Sequence, residues 1–406
     1  MTSVQAARAT AETGTPGRRV STLELFFDLV FVFTITQLTV LLARDLSFAQ
    51  AGRVLLLFSV LFWMYGAYAY LTNQVPPETI ARRLPLFLGM CGFLTCAMAI
   101  PGVFGSDGVA FGLGFLLVTL VHSALYAIVH GRYVLSFALT NVLAALCVTA
   151  AGAVGGRDAD LLWVAALLLQ NVTPLISSHV TGNYSTGDHD TGGDGTGIRA
   201  RVTDQVGGLD PAHFVERHGL LLIVAFGESV IAIGAGAGGL RLDWALFGGI
   251  SLALALALAL WWTYFDQDEA AAEEALHRAS GISRFRLTMA AYYYSFIPML
   301  LGIALLAAGV KRSIGHLSGH LDTAPALALA GGVALFLAGN VAFRGALGID
   351  PLRYRTVGAA SALATAALGT LLSAPAEFFG LVVVLVALLL AEARAATRAA
   401  ASRPAG

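Results

Sequence analysis

The sequence predicts an all-α integral membrane protein of about twelve transmembrane helices arranged as two parallel six-helix repeats. Three observations carry that prediction. Of the 406 residues, 57% are hydrophobic and 12% charged, about half the roughly 25% charged share of soluble chains. Mean hydropathy is +0.76. Apolar runs of about 20 residues, the length that crosses a bilayer core, recur along nearly the whole chain. The 24 basic and 25 acidic residues almost cancel, so no strongly basic surface is available to a nucleic-acid backbone. The expected partners are the lipid bilayer and an unknown small solute or ion, with no nucleic acid.

The first six runs lie at 23–43, 53–73, 84–104, 109–129, 133–154 and 159–179. Six more lie at 213–236, 243–265, 285–309, 323–343, 353–372 and 375–391. Before them, residues 1–22 carry no apolar signal region and read as a cytoplasmic tail. The first repeat is then 23–180, a Gly/Asp-rich linker 181–212, the second repeat 213–391, and a second cytoplasmic tail 392–406. Cys91, Cys96 and Cys147 all sit in apolar runs, and an odd count of that kind is no disulfide framework.

Orientation comes from the basic residues. With the amino terminus inside, seventeen Lys and Arg fall on inner segments and six on outer ones, which places both termini in the cytoplasm of a cell in whose plasma membrane the chain resides. Trp63, Tyr65, Tyr68 and Tyr70 then close the second span, and Trp261, Trp262 and Tyr264 the eighth, where they read as interfacial belts. Pro101, Pro174 and Pro298 are candidate kinks.

The two sets of six match in more than number. An acid opens both the first span (Glu24) and the seventh (Glu216), 192 residues apart, and a second polar residue, Gln37 or Glu228, follows twelve or thirteen positions on. Trp63 matches Trp261 and Trp262. The fourth span, with His122 and Tyr126, matches the tenth, with Asn340 and Phe343, at an offset of about 218. An even number of spans per unit makes two copies parallel, and sites in such proteins lie where repeats meet.

The chemistry-bearing residues gather in the two repeat-opening spans. Glu24 and Asp28 are four apart and share a helix face. Short carboxylates cannot snorkel out of the bilayer, and a charged residue at its centre costs roughly 2.5–3.5 kcal/mol on insertion scales. They must face protein or water. His213, Glu216 and Arg217 fall within about one turn, and Arg217 is the natural partner for Glu24, Asp28 or Glu216. Glu228, beside Gly227 and Ser229, lies about 18 Å of helix beyond Glu216. One interpretation is a structural ion-pair cluster that docks the repeats; another is a polar pathway with Glu228 as ion or proton site. A metal site from His213, Glu216, His218, Glu24 and Asp28 is disfavoured, since His-x-x-Glu is not the Glu-x-x-His order of di-iron bundles. A second thread of His122, Asn141, Gln170, Asn171 and Asn340 fits simple hydrogen bonding between helices. No metal and no cofactor is called for, and the oligomeric state is open.

Ser21-Thr-Leu-Glu24-Leu-Phe-Phe-Asp28 followed by Gln37-Leu-Thr39, and His213-Phe-Val-Glu216-Arg217-His218-Gly219 followed by Gly227-Glu228-Ser229, resemble the low temperature requirement A family of bacterial multi-pass membrane proteins. The resemblance implies an integral membrane protein from a family named for a growth phenotype in the cold. Its motif falls on Glu24, Asp28, Gln37, His213, Glu216, Arg217, Gly227, Glu228 and Ser229, and assigns none of them a role. The expected function is movement of an ion, proton or small solute through a site built from Glu24, Asp28, Gln37, His213, Glu216, Arg217, Glu228 and Ser229. The alternatives are an intramembrane enzyme using the His and Glu cluster, for which no nucleophile and base stand at a recognised spacing, and a structural or stress-response membrane protein.

Overall fold

The computed structural model describes residues 19–130, 135–183 and 208–401, and within them the chain is helical without strands. Most of the predicted linker and the outer parts of both tails lie outside the described residues. Such a fold is what a bilayer demands, since only a helix or a closed barrel satisfies every backbone polar group without water.

The first half contains α1 (Thr22–Arg44), α2 (Phe48–Gln74), α3 (Ile80–Ala99), α4 (Gly108–His130), α5 (Leu135–Val154) and α6 (Gly156–Asn183). The second contains α7 (Pro211–Ala237), α8 (Trp244–Phe265), two short helices α9 (Asp268–Arg278) and α10 (Gly281–Thr288), then α11 (Phe296–Ser313), α12 (Thr323–Leu347), α13 (Arg353–Ala364), α14 (Ala366–Leu371) and α15 (Ala374–Ala401). Among the described residues ten helical stretches are long and apolar enough to cross a membrane. The sixth expected span is α6, and the eleventh is broken at Thr365 into α13 and α14. Each of the twelve apolar runs is therefore mainly helical over its described residues.

The packing order is the same in both halves. In the first, α1 packs on α2 and α3, α3 on α4, α4 on α5, α5 on α6, and α6 returns to α2. In the second, α7 packs on α8 and α11, α11 on α12, α12 on α13, α13 and α14 on α15, and α15 returns to α8. Glycine closes a corresponding crossing in each half. A Cβ on Gly92 or Gly114 would stand 2.9 or 3.0 Å from the other's carbonyl oxygen, and one on Gly302 or Gly332 would stand 2.7 or 2.8 Å from its partner's. Only a missing side chain lets the backbones of α3 and α4, or of α11 and α12, approach so closely. The halves meet where α1 packs on α7 and α11, and α2 on the same two helices.

A π-helical turn, Met289–Tyr294, leads into α11. Pro298 has no N–H to offer the carbonyl four residues back, and the ladder widens ahead of it, with the Ser295 N–H reaching Ala290 O at 3.2 Å. The turn sends three successive tyrosines in different directions. Tyr292 stacks edge-on against Phe343 in the second half, Tyr293 lies parallel to Phe62 of α2, and the Tyr294 hydroxyl donates to Asn171 of α6 at 3.0 Å.

The expected aromatic belts are largely not belts. Trp63, Tyr65, Tyr68 and Tyr264 are buried. Trp63 Nε1 donates to Asn141 at 2.8 Å, Tyr65 to Asp28 at 3.0 Å and Tyr68 to the Val118 carbonyl at 3.0 Å. An aromatic with a polar tip suits an interface with lipid headgroups and an interior hydrogen bond equally well, so composition does not separate the two. Trp262, about half exposed, keeps the lipid-facing position.

Candidate functional site

α1 starts at a capping box. Ser21 Oγ accepts from the Glu24 N–H at 3.3 Å, and Glu24 Oε2 accepts from the Ser21 N–H at 2.9 Å and hydroxyl at 2.7 Å. Reciprocal capping satisfies two backbone donors at the helix start. It also aims the Glu24 carboxylate away from lipid, toward α7, where His213 Nε2 stands 3.2 Å from Oε2.

α7, which packs on α1, starts with Asp210 as its N-cap and Pro211 in its first turn. The side chain of Asn73, at the end of α2, holds this start in place. Its Oδ1 accepts from the Asp210 N–H at 2.9 Å, and its Nδ2 donates to Asp210 O at 3.0 Å and faces His213 Nδ1 at 3.0 Å. The bond from Asp210 fixes the amide's orientation, so His213 Nδ1 is an acceptor. Its proton then sits on Nε2 and is donated to Glu24.

One turn deeper, Arg217 completes the cluster. Its Nε and Nη2 fork onto Asp28 at 3.1 and 2.8 Å, Nη1 donates to Thr72 Oγ1 at 2.5 Å, and Nη1 lies 3.7 Å from Glu24. Asp28 accepts further from Tyr65, and the guanidinium lies 5.6 Å from the Phe27 ring centroid and 5.8 Å from that of Tyr65. Forked arginine–carboxylate pairs hold geometry as well as charge. Arg217 is 1% exposed, so it and its two acids are removed from lipid and solvent together. Three helices from opposite halves are clamped at this point.

The other expected residues distribute differently. Glu216 points outward, exposed, and accepts the Val20 N–H at 3.3 Å. Gln37 is half-buried. His218 belongs to an aromatic stack with Phe214, Tyr292 and Phe296, its Nδ1 bonded to the Phe214 carbonyl at 2.9 Å. Glu228 is buried on the face of α7 that meets α1. Thr36 donates to its Oε2 at 2.6 Å, and the Thr39 hydroxyl approaches the same carboxyl without completing a hydrogen bond. Ser229 is buried, with its hydroxyl unbonded among the described residues. Lys311 of α11 is a cation whose charge reaches Glu228. A Cβ at Gly227 would meet open space, so this glycine does not serve a helix crossing.

The sequence pattern described as Bacterial low temperature requirement A protein (LtrA) matches residues 19–390. The chain belongs to this family. A relative from Rhizobium meliloti (strain 1021), named Uncharacterized protein RA0937, is 28% identical over 331 residues, 78% of this chain and 75% of the relative. The match spans α1 through most of α15, so both halves and every residue of the cluster fall inside it.

Thr36, Thr72, Asn73 and Lys311 were not singled out by sequence, and Tyr65 was read as part of an interfacial belt. Thr36 and Thr72 are small polar residues in apolar runs, a signal too common to act on. Tyr65 carried one, since a tyrosine inside a span needs a partner for its hydroxyl.

A second buried ionic network went unforeseen. Asp268, at the start of α9, meets Arg355 and Asn340, with Asn340 Nδ2 donating to it at 3.0 Å. Arg344 Nη1 and Arg355 Nε each reach Glu392 at 2.9 Å. Arg344 and Arg355 counted among the basic residues of inner loops, yet both are buried.

Proposed function

We propose that the protein moves a proton or small cation across the plasma membrane along the seam between α1 and α7, with both termini cytoplasmic and Glu228 as the group that carries the ion. One observation carries this reading: a buried carboxyl of α7 sits at the junction of the halves beside the hydroxyls of Thr36 and Thr39, the second of them without a hydrogen-bond partner among the described residues. A purely structural carboxyl is expected to have its surroundings satisfied. A hydroxyl with spare capacity can instead coordinate a transient cation, or hydrogen-bond to the carboxyl when the Glu228 carboxylate takes up the proton. Lys311, on the side remote from the termini, supplies a charge that such an ion would have to displace or relieve.

The chain also reads as two copies of one six-helix unit. The common packing order supports this, and so do the glycine crossings: Gly114 and Gly332 are 218 residues apart, the offset that superposes His122 on Asn340. Thr36 and Glu228 are 192 apart, as are Glu24 and Glu216. Residues in equivalent positions that touch each other are what a seam between duplicated units produces.

The test uses the full chain in liposomes under an imposed pH gradient and membrane potential. Dissipation of the gradient is expected with the native protein and its loss with Glu228→Gln, which keeps shape and removes titration. A folded Gln variant with unchanged flux sinks the reading. So does native protein that leaves both gradients intact.

A further inference from the structure

We propose that Glu377 is a second proton-binding site, held in the half of the membrane remote from the chain's termini and independent of the seam that holds Glu228. Glu377 is in the first turn of α15 and is 0% exposed. Both of its carboxyl oxygens are buried without a hydrogen-bond partner among the described residues. The polar group that approaches them is the backbone of Ala330 in α12, which makes no hydrogen bond of good geometry to either. The remaining walls are apolar or bare: a Cβ on Gly369 would collide with the carboxyl, and Ala326 closes the same space.

The contrast with Glu24 shows that this is not a helix cap. Ser21 and Glu24 are three apart and engage each other's backbone N–H. Ser373 and Glu377 are four apart, and the Ser373 hydroxyl is taken up by the Ala376 N–H at 3.4 Å while the Glu377 oxygens turn into the α12–α14 contact. A first-turn acid gains a little from the helix dipole, far less than a bare carboxylate loses on leaving water.

Nor is a counter-charge in reach among the described residues. The helices packed against α15 are α8, α12, α13 and α14. Their titratable side chains are Tyr264, Arg344, Arg353, Tyr354 and Arg355, all at the opposite membrane face. Arg344 stands fourteen residues, about 21 Å of helix, from Ala330. An isolated buried carboxyl without a cation or donors takes a proton instead of a charge. The structure also supplies the way in. The Leu321 N–H donates to the Gly369 carbonyl at 2.9 Å, and the exposed His320 and Asp322 flank Leu321 in the loop before α12. One backbone layer separates the carboxyl from that loop.

Infrared difference spectra of the full chain in lipid, native minus Glu377→Gln at neutral pH, test this. The expected difference is the loss of one protonated carboxylic-acid band, which shifts when the native protein is placed in deuterated buffer. Loss of carboxylate bands instead overturns the proposal, and so does an acid band that never shifts, since its proton would then be sealed in. Glu377→Leu gives the same difference should the amide disturb folding. In Glu228→Gln the Glu377 band is expected to persist, which separates this site's failure from that of the seam.

Discussion

The clamp of Glu24, Asp28, His213 and Arg217 and the network of Asp268, Asn340, Arg344, Arg355 and Glu392 use the same chemistry at the same end of the bundle. They differ in what they join. The first ties α1 and α2 to α7, residues 189 apart in the case of Arg217 and Asp28. The second ties α9, α12, α13 and α15, all within one half. The clamp is dry, with every ionic side chain at 2% exposure or less, whereas Glu392 keeps 13%. In the clamp one guanidinium serves two carboxylates; in the network two serve two. The lesson is that buried charge here is placed according to which contact has no other source of specificity. Apolar helix faces slide against one another in lipid, and a forked ion pair admits one register.

If that comparison is right, removing the single arginine of the clamp is the most damaging change. Arg217→Ala leaves two buried carboxylates, and a loss of about 3–5 kcal/mol is expected, seen as a large drop in the thermal midpoint in detergent. A loss under about 1 kcal/mol would mean that water reaches the acids and that the clamp is not dry.

Arg355→Ala sharpens the contrast. Arg344 remains beside Asp268 and Glu392, and Glu392 can reach solvent, so a smaller loss of about 2–3 kcal/mol is expected in the same assay. Equal losses for the two arginines would erase the distinction between clamp and network.

Pairing is tested by a cycle. Adding Asp28→Asn to Arg217→Ala removes one of the stranded charges, and a recovery of about 1–2 kcal/mol is expected, within the usual range for directly coupled residues. Strict additivity of the two single effects would show that Arg217 is neutralised elsewhere. The smallest effect belongs to Asn73→Ala, which deletes hydrogen bonds and no charge. About 1 kcal/mol is expected, together with weaker protection of the Asp210 and His213 amides in hydrogen exchange. Unaltered exchange there would remove Asn73 from the clamp.

How much of this was legible in the sequence differs between the two regions. Glu24, Asp28 and Arg217 interrupt apolar runs, and a charge in that position must find a partner, so the cluster was foreseeable and its choice of Asp28 over Glu216 was not. Glu216 is one position from Arg217, and one position is about 100° of helix, enough to turn it outward. Arg344, Arg355 and Glu392 stand at the ends of runs, where a charge is equally at home in water. Nothing local distinguishes a solvated helix end from one covered by a neighbour.

Class, helical state and the places of the twelve runs were determined by the sequence alone, because backbone desolvation in a bilayer forces each apolar run to close its own hydrogen bonds whatever lies beside it. Family membership was also legible, through the motifs on α1 and α7. Tertiary structure alone decided that Trp63, Tyr65 and Tyr68 are interior, that the eleventh span is broken at Thr365, and which carboxylate each arginine holds. It also decided that Glu377 is buried without a hydrogen-bond partner among the described residues. Those outcomes depend on which helix faces meet, and that is a property of residues far apart in the chain with no periodicity to announce it.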